Sequence, residues 1–177
     1  MNKRLLRKNF AHNSIADSDP SSSTHNRLVN DQNGATGSLF EYGAFHASWN
    51  ACEAIAVHNA KVLNGLESSL SDAIKAFQSA GAMLLRGALG SNPYAIGRVL
   101  KNEGLECERV RLGEITNKGT YIISFWNSKA PWRGLHTVAL SGNGRTLTAY
   151  NLRGDGKSCP IALSDYARHY ICGYRIK

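Results

Sequence analysis

Apolar residues recur three and four apart from about residue 52 to residue 100, and change to a two-residue alternation beyond residue 107. The first helix predicted from this pattern starts at Cys52, with Cys52, Ile55, Ala56, Val62 and Leu63 on one face. Ser48 or Asn50 is its candidate cap and Asn64-Gly65 its stop. A second helix opens at Ser68 or Ser69, carries the stripe Leu70, Ile74 and Phe77, and ends at Ala80-Gly81. A third begins at Asn92-Pro93, with Asn as cap and Pro in the first turn, buries Ile96, Val99 and Leu100, and stops at Gly104.

The second half reads as strands: 107–112, the β-branched and aromatic run 120–126, 135–140, 146–152 and 171–176, with a short helical turn over 165–170. Ser141-Gly142-Asn143-Gly144 predicts a hairpin between the third and fourth of these. Helices followed by antiparallel strands imply an α+β fold with the helices layered on a sheet. Residues 1–34 show no periodicity, are rich in Asn, Ser, Asp and basic residues, and predict a flexible tail ahead of one domain over 35–177. Nothing in the chain repeats.

A chain of 177 residues with 42% hydrophobic content suits one core. No apolar run is long enough to cross a bilayer. Met1 to Phe10 is basic but lacks the apolar stretch of a secretory signal. The expectation is a soluble protein, cytoplasmic or delivered by a route without a signal peptide. The net charge is +8, of which +2 falls in residues 1–34 and +6 in the body. A basic body favours an acidic partner such as RNA, DNA, an anionic membrane surface or an acidic protein, without choosing among them. The four cysteines, Cys52, Cys107, Cys159 and Cys172, show no C-x-x-C pair and no histidine at finger spacing, so no metal site is expected.

Cys52 stands apart by its place at a predicted helix start, where unpaired N–H groups and the helix dipole favour a thiolate and can hold an oxyanion. The expectation from this alone is a lowered thiol pKa. His136 is the polar exception in the apolar run Leu135–Leu140, and imidazole is the usual base for a cysteine. Asn151 ends the next strand, so the predicted hairpin brings it beside His136, where its amide oxygen is expected to accept from the ring N–H. Read singly, each has a plainer explanation: a core cysteine, a sheet-face histidine and a turn asparagine.

Taken in order, these residues resemble papain-like cysteine peptidases, and more closely the bacteriocin-leader peptidase group and its bacterial relatives. The resemblance rests on Cys52-Glu53-Ala54-Ile55-Ala56-Val57-His58-Asn59-Ala60, on 87–96, on Ile123-Ser124-Phe125-Trp126-Asn127, on Gly134-Leu135-His136-Thr137-Val138 and on Tyr150-Asn151. It covers roughly residues 40–177. It implies a papain-like fold and a cofactor-free thiol hydrolase or acyl-transfer enzyme acting on a peptide or amide bond. In that role Cys52 is the nucleophile, His136 the general base and acid, and Asn151 the residue orienting His136. The family usually carries a Gln a few residues before the nucleophile to complete the oxyanion hole. Here the nearest upstream glutamine, Gln32, is twenty residues away, which makes Asn50, His46 and Ser48 the candidate substitutes.

Trp49 and Trp132 are candidate cleft walls, while Trp126 is expected in the core. His46 and His58 are read as solvated or core-edge histidines ahead of substrate contacts, Glu53 as a residue favouring the first helical turn, and Gly154-Asp155-Gly156 as a turn. Two other functions fit the same features. One is a basic toxin or effector domain acting on RNA, with His136 as base toward a ribose hydroxyl and a cognate inhibitor as partner. The other is a pseudoenzyme that binds a peptide in the old cleft.

Overall fold

The structure is a computed structural model that describes residues 3–127, 134–153 and 156–177. Its centre is helix α4 (Cys52–Leu63), in which every residue from Cys52 to Ala60 is buried. The sequence pattern assigns this helix one apolar face. It is instead covered on all sides, by a sheet on one and by helix α5 (Leu70–Ser79) and the N-terminal segment on the others. Full burial explains why its polar residues are all hydrogen-bonded internally. Helix α5 follows the prediction: the Ser69 hydroxyl accepts from the Asp72 N–H, and Leu70, Ile74 and Phe77 are buried. Asn92 caps a 3-10 turn with Pro93 in its first turn. This turn leads into α6 (Ile96–Asn102), and Gly104 closes it at φ 77°.

Six antiparallel strands form the sheet: β3 (Cys107–Val110), β4 (Lys118–Trp126), β5 (Leu135–Asn143), β6 (Leu147–Tyr150), β7 (Cys159–Ile161) and β8 (Tyr170–Ile176). Their order is β3-β8-β4-β5-β6-β7. The fold is therefore α+β, with N-terminal helices packed on a C-terminal antiparallel sheet. Ile122, Ala139, Cys172 and Tyr174 face the helices, while Tyr121, Ile123, Phe125, Val138 and Leu140 form a second core on the far face. That alternation is the two-residue period of a sheet covered on both sides.

Residues 3–34 are folded against the rest of the chain, not a flexible tail. Helix α1 (Lys3–Ser18) packs on α5 through anchors that are polar rather than apolar. Asn9 Nδ2 donates to the Gly43 carbonyl at 2.7 Å. Asn13 pairs with both backbone groups of Glu41, accepting from its N–H at 2.7 Å and donating to its carbonyl at 3.0 Å. Glu41 belongs to a two-residue ribbon, β1 (Glu41–Tyr42) and β2 (Phe45–His46). Asp17 accepts from the Thr24 and Ser71 N–H groups. Val29 is buried, its backbone clasped by the Asn59 side chain of α4 at 2.8 and 2.7 Å. Among the described residues no helix is long and apolar enough to cross a membrane.

Candidate active site

Two short helices, α2 (Ala35–Leu39) and α3 (Ala47–Asn50), lead the chain back to Cys52, the first residue of α4. The cap position is Ala51, so neither Ser48 nor Asn50 caps the helix by its side chain. Cys52 is 6% exposed. Its Sγ donates to Glu53 Oε2 at 3.4 Å, and the backbone N–H groups of Glu53 and Thr137 pull its pKa down. The thiol therefore sits against β5 at the residue immediately after His136.

His136 is the second residue of β5, opposite Phe125, whose ring meets it edge-on at 5.8 Å. Its Nε2–H donates to the backbone carbonyl of Asn151 at 2.7 Å. That bond fixes the tautomer and leaves Nδ1 as an acceptor. No hydrogen bond joins the His136 ring to Cys52 Sγ among the described residues. Thr137 is on the face turned to the helices with Ala139, whereas His136 shares the far face with Phe125 and Val138, so the structure does not bring the thiol and the imidazole together.

Asn151 is 4% exposed and has a φ of 62°, a left-handed conformation that asparagine tolerates better than most residues. This twist turns its carbonyl, not its amide oxygen, to the imidazole, which corrects the expected orienting contact. The freed side chain points to Gln32: Asn151 Nδ2 donates to Gln32 Oε1 at 2.9 Å, and the Gln32 N–H donates to Asn151 Oδ1 at 3.3 Å. The Asn151 N–H donates to Asn30 Oδ1 at 2.9 Å. Gln32 is buried, and its Nε2 donates to the Ala47 carbonyl at 3.4 Å, at the start of α3. The glutamine dismissed on sequence distance is thus beside Asn151. The twenty residues between it and Cys52 fold into α2, the β1–β2 ribbon and α3 and return. No local pattern announced this.

The proposed substitutes for that glutamine are engaged elsewhere. Asn50 Nδ2 donates to the Ala88 and Gly87 carbonyls and holds that loop. His46 is exposed and faces Glu41 at 3.7 Å. Ser48 is half-buried, with no hydrogen bond to Cys52 or His136. Trp49 is exposed at the surface, its Nε1 donating to the Ala88 carbonyl. Trp132 lies outside the described residues, as do Gly154 and Asp155. Trp126 is 45% exposed and is not a core residue, because β4 ends there.

The electrostatics of the cysteine also differ from expectation. Burial, and then the Glu53 carboxylate beside it, push the Cys52 thiol well above its ordinary value, against the pull of the Thr137 N–H. Glu53 is itself buried, and loss of water raises its carboxyl to about 7. Burial lowers the pKa of His136, so the ring is neutral near pH 7, and the Asn151 carbonyl only partly opposes this. All four cysteines are free thiols, and no cluster of metal-ligating side chains occurs among the described residues. A cavity of about 600 Å³ is lined by Arg109, Arg111, Glu114, Tyr170 and Cys172, at β3 and β8. No protein-family model and no curated protein matches the chain.

Proposed function

We propose that the protein is a cysteine-dependent acyl-transfer enzyme that cleaves or exchanges a peptide or amide bond. The observation that carries this reading is the placement of Cys52 at the start of α4, packed on β5, the strand that also carries a histidine whose ring is held by the Asn151 carbonyl. A neutral thiol and a neutral imidazole fit general-base activation once the His136 ring turns from the far face of the sheet toward Cys52. His136 Nδ1 takes the thiol proton as sulfur attacks the carbonyl carbon, and returns it to the leaving nitrogen. Water then attacks the thioester, and sulfur leaves as thiolate. The N–H groups at the start of α4 are the donors for the oxyanion. Gln32 takes the part that the related peptidases give to their upstream glutamine, held between Ala47 and Asn151.

The RNA-directed alternative rests on the basic cavity around Arg109 and Arg111 at β3 and β8, with β4 between it and the strand that carries His136. A peptide vinyl sulfone tests the reading. It should form one covalent adduct on Cys52, and the His136→Ala protein should form it far more slowly. Adducts spread over several thiols, unaffected by His136→Ala, would remove the proposal.

A further inference from the structure

The carboxyl group of Glu53 has no place in the chemistry so far, yet it is the side chain in direct contact with the nucleophile. Its Oε2 lies 3.4 Å from Cys52 Sγ, and the residue is 1% exposed. No lysine, arginine or histidine forms an ion pair with it among the described residues. Its side chain is hydrogen-bonded to the thiol, while its own N–H and that of Ser91 pull its pKa down against the effect of burial. The enclosure is close: a Cβ on Gly90, whose φ is +68°, would stand 3.2 Å from the Asn50 carbonyl oxygen and 3.5 Å from Glu53 Oε2. An exposed first-turn glutamate would gain from the helix dipole at no cost. A sealed one with no cation is retained against a desolvation penalty, which points to a use.

We infer that Glu53 works as a neutral carboxylic acid that donates a hydrogen bond to the Cys52 thiolate, and that its ionisation turns the nucleophile off. This rests on Cys52 being the nucleophile proposed above. In the competent state Glu53 is protonated, and Cys52 gives its proton to His136. The resulting thiolate accepts from the Glu53 O–H and from the Glu53 and Thr137 N–H groups, and the buried pair carries a single negative charge. When Glu53 loses its proton, the carboxylate becomes the acceptor of the thiol proton. Forming a thiolate then requires two negative charges side by side in a buried site, which is disfavoured. The other ionisable groups nearby are Tyr42 from β1, whose hydroxyl is hydrogen-bonded to Ser91, and Cys172 from β8, and neither can become positive. The switch therefore centres on Glu53, whose carboxyl titrates at about 7.

The test follows alkylation of Cys52 by iodoacetamide across the neutral range, located by peptide mass and compared with Glu53→Gln and Glu53→Ala. Glutamine keeps an N–H donor and cannot ionise. Glu53→Gln should match the unmodified protein about 1.5 units below pH 7 and label Cys52 roughly tenfold or more faster about 1.5 units above it. Glu53→Ala, which removes the donor, should label more slowly than Glu53→Gln throughout. Identical rates and pH courses in all three proteins would overturn the inference. Against the chance that the variants fold poorly, infrared difference spectra of the unmodified protein give a second reading. The carbonyl band of a buried carboxylic acid should vanish as pH rises through about 7 and should shift when Cys52 is alkylated. A spectrum with no such band also overturns the inference. These readings follow thiol and carboxyl titration, not turnover, so they hold or fail separately from the peptide-cleaving reading.

Discussion

The middle of α4, around His58, and the start of β5, around His136, present the same side chain with the same first contact. Each ring donates from Nε2 to a backbone carbonyl at 2.7 Å, that of Arg27 for His58 and that of Asn151 for His136. In each, burial lowers the pKa. The second nitrogen separates them. His58 Nδ1 accepts from the Ser68 hydroxyl at 2.9 Å, and the residue is fully buried. His136 is half-buried, and its Nδ1 has no hydrogen-bond partner among the described residues. A histidine satisfied at both nitrogens fastens two segments together. One satisfied at a single nitrogen, with a thiol lodged against the next residue in its strand, is oriented and left free to take a proton.

The largest effects that sharpen this contrast are on activity. Cys52→Ala and His136→Ala should each lower amide or ester turnover by at least about a thousandfold, with little change in melting temperature. Gln32→Ala should cost roughly a hundredfold, as loss of one oxyanion donor does. His58→Ala should do the reverse: turnover per folded molecule stays near normal, while denaturant unfolding shows a loss of about 2–4 kcal/mol, because the Arg27 carbonyl and Ser68 hydroxyl lose their buried partner. If His58→Ala abolished turnover without loss of stability, the division between the two histidines would be wrong.

Next in size is the pH dependence of stability. Glu53 has its folded pKa raised from 4.5 to about 7, so the folded state binds more proton in that window and stability falls as pH rises through it. The penalty is on the order of 3 kcal/mol once pH exceeds 7, and Glu53→Gln should abolish it. His58 and His136 act in the opposite direction. Their folded pKa values are lowered, so stability is complete above 6.5 and declines as pH falls below it. Urea unfolding across mildly acidic to mildly alkaline pH should show a maximum that shifts to the alkaline side in Glu53→Gln. A smaller effect follows from Asn13→Ala, which frees both backbone groups of Glu41 and should cost about 1–3 kcal/mol in the same assay.

The elements legible in the sequence are those built on apolar periodicity and local caps. Ser69 and Asn92 cap where their hydroxyl and amide predicted, Gly65 and Gly104 take the positive φ expected of helix stops, and β4, β5 and β8 fall within a few residues of their predicted ranges. What stayed illegible is held by polar side chains acting at long range. Helix α1 is anchored by Asn9, Asn13 and Asp17, and the 24–33 segment by Asn59, His58 and Asn151, none of which leaves a periodic trace. The same reason hid Gln32, whose partner Asn151 lies 119 residues away. Cys52, His136 and Asn151 were legible as candidates for a site. Two of their details were not: that the Asn151 carbonyl, through a left-handed backbone, would hold the ring, and that Glu53 would be sealed beside the thiol.

The most direct test of the central claim is to trap the acyl-enzyme. Brief exposure to a p-nitrophenyl ester, acid quench and peptide mass mapping would locate the transferred acyl group. The account predicts an acyl group on Cys52 in the unmodified protein, none at that position in Cys52→Ala, and acylation slowed at least about a thousandfold in His136→Ala. Acylation that favours the more exposed Cys107, or that proceeds on Cys52 at an unchanged rate without His136, would contradict it.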